Sequence, residues 1–264
     1  MIREKPMKFF KKINCKKRIT ALILAVIAAF AVAAGAVRNE SIYAFSQNKT
    51  ARKLPIYSVE RSDKKIAISF DCAWGNEHTE TLLNVMDEYG VKCTFFCVSF
   101  WAEKYPDDLK EIIARGHEAG THSKTHPKMS KLSEKEITDE LEYSCRVIKD
   151  ITGIKPVLFR PPFGDYDDLL IETAQKLSLY TIQWDVDSLD WKDLSANDIA
   201  KRVISKTKSG SIILCHNNGK HTAESLPLIF ATLKAKGYEF VKISDLIYKE
   251  GYKIDVNGRQ IKNE

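Results

Sequence analysis

Residues 64–98 read KKIAISFDCAWGNEHTETLLNVMDEYGVKCTFFCV. Ile66–Asp71 is a short apolar run that ends in an acid, as a buried strand does. Residues 77–89 have helical spacing and stop at Gly90. Cys93–Val98 is a second apolar run. Strand, helix and strand within 35 residues is the signature of a parallel pair joined by a crossover helix.

The same alternation continues to the C-terminal side. Pro106–Arg115 is predicted as a helix that starts on Pro and is closed by Gly116. Ser133 and Glu136 form a capping box, followed by Ile137, Leu141, Cys145 and Ile148 at helical spacing and by Gly153. Val157–Arg160, Leu179–Val186 and Ser211–Cys215 are predicted strands, and Phe240–Ile243 a last one. Helices are expected near 167–178, 196–207 and 222–236. The pattern defines an α/β fold with a parallel sheet and leaves open a doubly wound sheet or a closed barrel. The polar tail, 251–264, is expected to be loosely held.

On the N-terminal side the composition changes sharply. The chain has 264 residues and a net charge of +6. Residues 1–18 hold eight Lys or Arg against Glu4 alone. That segment is therefore +7 and the remainder −1, which argues against a nucleic-acid-binding face on the folded part. Ile19–Val37, ITALILAVIAAFAVAAGAV, follows without a charge or a proline. Its 19 residues span roughly 28 Å as a helix, close to the thickness of a bilayer core. Basic residues before it orient the N-terminus to the cytoplasm. Both an uncleaved anchor and a signal peptide cleaved near Ala34-Gly35-Ala36 fit. The expected organisation is a cytoplasmic segment 1–18, a transmembrane or signal helix 19–37, a linker 38–62 and an extracytoplasmic domain 63–250. Nothing predicts a dimer, and a monomer is expected.

Of six cysteines, Cys15 precedes the apolar span, leaving Cys72, Cys93, Cys97, Cys145 and Cys215. Five cannot all pair, and Cys93 and Cys97 lie too far apart along one strand. A scaffold without disulfides is expected, with most thiols acting as small buried apolar groups.

The chemistry-bearing residues gather at the C-terminal ends of the predicted strands, where parallel α/β folds build their sites. His122 and His126 are four apart and can converge on one metal or sit idle in a polar loop. Asp71 is a strand-end cap or a catalytic acid. Arg160, before the stiff Pro161-Pro162 turn, can be fixed against a carboxylate. Asp187 and Asp190 precede Trp191, whose flat ring suits a sugar face. His216 ends an apolar run and can act as a general acid or as a structural hydrogen-bonding group.

In order and spacing, SFDCAW (69–74), HSKTH (122–126), RPPFG (160–164), DSLDW (187–191) and ILCH (213–216) resemble the five motifs of the polysaccharide deacetylase family, the NodB-homology domain or carbohydrate esterase family 4. The resemblance runs from about Lys64 to Ile247, and the first motif together with the apolar span looks most like the sporulation-associated branch. It implies a distorted (β/α) barrel and metal-dependent removal of acetyl groups from peptidoglycan or a related N-acetylglucosamine or N-acetylmuramic acid polymer. By the same resemblance, His122 and His126 hold a divalent metal, zinc or cobalt being suitable. Asp71 is the base, oriented by Arg160, and His216 the acid, tuned by Asp190. Phe163 supplies a backbone N–H to the oxyanion. Trp191 and Leu214 line the acetyl slot, Ser123 shapes the histidine loop, and Pro161 is a substrate-binding residue with Phe163.

The sequence departs from the family at position 72, where the usual third metal ligand, an Asp, is Cys72. Cys72 is a candidate thiolate ligand in a Cys-His-His zinc site. Alternatively the two histidines hold the metal with water or Glu77, or the chain is a metal-free glycan-binding member of the fold. Asn217, after His216, replaces a frequent Asp.

Overall fold

Strand β2 (Lys65–Cys72) is buried along all but its first residue, and the rest of the sheet is built on it. The computed structural model describes residues 52–263; the expected basic segment and the 19–37 apolar span lie outside them. Among the described residues no helix is long and apolar enough to cross a membrane.

β2 pairs in parallel with β3 (Thr94–Cys97) on one side and β8 (Ile212–His216) on the other. Beyond β3 lie β4 (Glu118–Thr121), β5 (Leu158–Phe159) and β6 (Tyr180–Thr181); beyond β8 lies β7 (Val186–Asp187). β9 (Glu239–Phe240) pairs with the start of β2. Every pairing in this eight-stranded sheet is parallel. The crossovers are α1 (Thr79–Glu88), α2 (Ser99–Lys104) with α3 (Pro106–Ala114), α4 (Glu134–Thr152), α5 (Asp168–Lys176), α6 (Ala196–Lys206) and α7 (Thr222–Ala235); α8 (Ile243–Leu246) follows β9. The capping box at Ser133 and Glu136 and the left-handed Gly153 bound α4 as the sequence requires.

The run Leu179–Val186, predicted as one strand, is two. β6 and β7 stand at opposite ends of the strand order yet are separated only by residues 182–185. Seven strands laid flat would put these ends about 29 Å apart. Five residue steps reach at most about 18 Å. The sheet must therefore curl into a distorted, incomplete barrel. Polar side chains redirect the crossing segment: Gln183 donates to the Gly164 carbonyl, and Asp185 accepts from the Ser211 hydroxyl and the Ile212 N–H.

Strand parity divides the interior. Ile66, Ile68, Phe70 and Cys72 pack outward against the helices, with Leu82, Leu83, Trp101 and Phe230. Ala67 packs inward with Phe96, Leu158, Ile182 and Ile212. The five cysteines of the described residues are free and buried.

Two expectations at the domain ends are corrected. The linker predicted over 38–62 is structured in its last part: Ile56 is buried and bridges Ile182, and β1 (Ser58–Val59) joins a second, three-stranded sheet. The tail predicted to be loose supplies the rest of that sheet as a hairpin, β10 (Tyr252–Ile254) and β11 (Arg259–Lys262). Asp255 caps the turn by accepting from the Asn257 and Arg259 N–H groups. Gly258 is left-handed and faces the Tyr57 ring so closely that a Cβ would clash.

Candidate active site

Register brings the first two groups together. Asp71 and His216 are direct partners across β2 and β8, so the acid and the imidazole end adjacent strands side by side. Parity aims Asp71 inward. There its Oδ1 accepts from Arg160 Nη1 at 2.8 Å, and its Oδ2 lies 3.5 Å from His122 Nε2. Arg160 is fully buried just beyond β5, with its guanidinium 4.1 Å over the Phe96 ring and its second amino group donating to the Gln183 carbonyl. Burial alone pushes the Asp71 carboxyl up, but Arg160, His122 and His216 more than offset it, and its pKa lies below the ordinary value.

The second pair has the opposite bias. His216 Nδ1 lies 2.7 Å from Asp190 Oδ1, and Asp190 Oδ2 accepts from the His216 N–H and the Thr222 hydroxyl. Burial lowers the His216 pKa; the hydrogen bond and charge of Asp190 outweigh it, and the pKa is raised. One cavity thus holds a carboxylate biased toward ionisation and an imidazole biased toward protonation, a division of labour suited to acid–base chemistry.

His122 and His126 lie on the loop after β4, with ring centroids 4.9 Å apart. His122 Nδ1 lies 2.7 Å from the Arg160 carbonyl, which leaves Nε2 toward Asp71. The Ser123 hydroxyl accepts from the His126 N–H at 3.0 Å, the loop-shaping contact expected of it. Burial lowers both histidines, His126 to about 4, so both are neutral near pH 7. Ser123, His126, Phe163 and Leu189 all hold positive φ without being glycine, a concentration of backbone strain around one cavity.

That cavity, about 530 Å³, is lined by Asp71, His122, His126, Phe163, Leu214 and His216, with Trp191 also on its wall. Its size is that of a small-ligand site. Leu214 is 3% exposed, whereas Phe163 and Trp191 are 64% and 57% exposed on the rim. Pro161 is buried in the turn behind Phe163 and does not line the cavity. Four lining residues escaped the sequence reading: Ala73, Trp74, Trp184 and Asn218. Trp74 stood in the first motif and could have been found as a large aromatic beside a strand end; Trp184 was hidden inside a predicted strand.

Cys72 does not join the histidines. It is fully buried on the outward face of β2, in register with Cys97, and its Sγ approaches the Phe70 carbonyl at 3.8 Å. Burial and the neighbouring Cys97 push its thiol well above the ordinary range. Glu77 is exposed in the turn after β2 and does not line the cavity either. Among the described residues no three His, Cys, Asp or Glu side chains are grouped as a metal site. The donor chemistry fits two neutral imidazoles toward a divalent ion and does not fit a centre with Cys72 as third ligand.

Fold and site together define a parallel α/β barrel with paired acid and base groups at the strand ends. The profile of the polysaccharide deacetylase family matches residues 58–182. The peptidoglycan-N-acetylglucosamine deacetylase PgdA of Listeria monocytogenes is 34% identical over 74% of this chain and 41% of its own. A peptidoglycan-N-acetylglucosamine deacetylase of Bacillus cereus is 32% identical over 72% of this chain and 92% of its own. Among solved structures, a CE4 family pseudoenzyme from Bacillus anthracis superposes with a TM-score of 0.71 at 32% identity, covering 79% of this chain and 73% of that one. A mutant of that pseudoenzyme has restored enzymatic activity. This chain belongs to the polysaccharide deacetylase family. It spans less than two thirds of the length of several curated relatives, the Listeria protein among them.

Proposed function

We propose that this chain hydrolyses N-acetyl groups of a cell-wall polysaccharide, peptidoglycan or a related N-acetylglucosamine or N-acetylmuramic acid polymer, on the outer side of the cytoplasmic membrane. The observation that carries this reading is the pair of oppositely tuned dyads, Asp71 with Arg160 and His216 with Asp190, facing one cavity. The deacetylase relatives support the substrate class.

In this reading Asp71, held as carboxylate by Arg160, takes a proton from the water that attacks the acetyl carbonyl. The Phe163 N–H, on its left-handed backbone, donates to the developing oxyanion. The C–N bond breaks, and protonated His216 gives its proton to the departing amine while Asp190 holds the imidazolium. Acetate leaves from a slot bounded by Leu214 and Trp191. A divalent metal, zinc in the first instance, is proposed on His122 and His126; when bound it polarises the carbonyl and acidifies water.

A second reading has its own observation. Cys72 faces the core, so the third ligand position is lost, and a glycan-binding member without hydrolysis would keep the cavity and its aromatic rim. The test is acetate release from N-acetylglucosamine oligomers and peptidoglycan with zinc or cobalt, wild type against Asp71→Asn. Release abolished by the substitution supports hydrolysis. Binding of the same glycans with no release from either protein favours the second reading.

A further inference from the structure

The described residues have nine exposed large hydrophobic side chains, and Trp74, Phe100, Phe163 and Trp191 gather at this cavity or against its rim. Apolar surface left in water beside a binding cavity marks a contact surface. Trp74 is 58% exposed although it lies only two residues beyond the end of a buried strand.

Trp74 is held in that position. The next residue, Gly75, has a φ of 65°, and its carbonyl accepts from Trp101 Nε1 at 2.7 Å and from Asn217 Nδ2 at 2.8 Å. Two buried side chains thus fix the loop at Gly75. The indole stands edge-on to the His126 ring, with centroids 5.1 Å apart at 71°, and tilts against Phe100 at 6.4 Å. Phe163 meets His126 from another side at 4.5 Å and 69°. His126 therefore lies between two exposed aromatic rings, both on the cavity wall. Neither ring is needed to fill the core, and neither carries a charge that would select an ionic ligand.

We infer that Trp74 is a stacking platform for a second pyranose ring, the sugar next to the one whose acetyl group lies between Asp71 and His216. The occupant is a neutral N-acetylhexosamine polymer, whose C–H-rich ring face matches an exposed indole. The inference rests on the reading of the cavity as a glycan site and adds a requirement for chain length. Asn217 and Trp101 are positioning residues in this arrangement, acting through Gly75.

The experiment uses the full chain as wild type, Trp74→Ala and Trp74→Phe, titrated calorimetrically with N-acetylglucosamine and with its β-1,4-linked tetramer. Acetate release is measured in parallel, and a thermal melt of each variant reports folding. Covering one indole face corresponds to about tenfold in affinity. The expected result is a tetramer Kd about tenfold weaker in Trp74→Ala, largely kept in Trp74→Phe, with the monosaccharide response unchanged. Tetramer binding equal to wild type in Trp74→Ala overturns the inference. So does an equal loss for both sugars, which assigns Trp74 a purely structural role. If the wild type binds no glycan of either length, the glycan reading and the platform fall together. Tetramer binding that depends on Trp74 without acetate release upholds the platform while removing hydrolysis.

Discussion

Asp71 and Arg160 face each other at 2.8 Å with both side chains almost wholly out of water, the carboxylate 8% exposed and the guanidinium not at all. Removing one member of such a pair leaves the other's charge buried and uncompensated. Arg160→Met is expected to cost about 3–5 kcal/mol, measured by urea unfolding at neutral pH. The pH dependence follows from the sign of the shift. In the wild type the folded Asp71 pKa is depressed. Its stabilisation is therefore present above the unfolded value of about 3.9 and is lost as pH falls through the lower folded value. In Arg160→Met burial dominates and the pKa rises. The variant then takes up a proton that the wild type does not, and its deficit narrows as pH falls. A deficit independent of pH would mean that Arg160 acts through packing on Phe96 alone.

Replacing Asp190 by Asn keeps the shape beside His216 and removes the charge. The raised His216 pKa depends on that charge, since burial acts in the other direction. In Asp190→Asn the His216 pKa is expected below about 6.5, read directly by NMR titration of the ring. A raised folded pKa contributes stability that is fully present below the unfolded value and lost as pH rises through the folded one. The variant should therefore lose more stability at pH 5 than at pH 9. If His216 is the proton donor, the alkaline limb of acetate release moves to lower pH with it. An unchanged titration would assign the tuning to another group.

The Ser123 hydroxyl holds the His126 N–H in a loop where both residues have positive φ. Ser123→Ala leaves that donor without its partner, a loss of about 1–2 kcal/mol by thermal or urea unfolding. Zinc affinity should fall with it, because the His126 ring loses its fixed aim. A variant as stable as wild type with unchanged zinc affinity would show that the aromatic contacts with Trp74 and Phe163 hold His126 unaided.

Much of this arrangement was legible in the sequence, for identifiable reasons. The capping box at Ser133 and Glu136, Pro106 at a helix start and Gly153 at a helix end are local signals, and each sits where it was read. Asp71, His122, Arg160 and His216 were recognisable because a parallel sheet carries its chemistry at strand ends. What failed was non-local. β4 is Glu118-Ala119-Gly120-Thr121, with no apolar run to announce it, because Gly120 is placed for close packing on Phe96. The Leu179–Val186 run looked like one strand because periodicity does not register a change of sheet edge. The C-terminal hairpin carried an Asn257-Gly258 turn signal, but its partner strand at Ser58–Val59 is about 200 residues away.

Cys72 is the case in which parity decides. Neighbouring residues of a regular strand point to opposite faces, so a β2 that aims Asp71 at the histidines aims Cys72 at the helices. Its thiol has Cys97 beside it and an apolar cluster around it. Cys72→Ala is therefore expected to leave the zinc affinity of the full chain within twofold of wild type, while losing about 1 kcal/mol of stability from the sulfur it removes. His126→Ala should abolish whatever zinc binding the wild type has, with the fold retained, because its ring is half-buried at the cavity wall and outside the main core. Equilibrium dialysis with zinc on the three proteins, alongside urea unfolding, separates the two positions. A tenfold loss of zinc affinity in Cys72→Ala would require the end of β2 to turn its thiol inward, and the metal centre would then hold three protein ligands. Unchanged affinity removes Cys72 from the centre and leaves His122 and His126 as its imidazole donors beside Asp71.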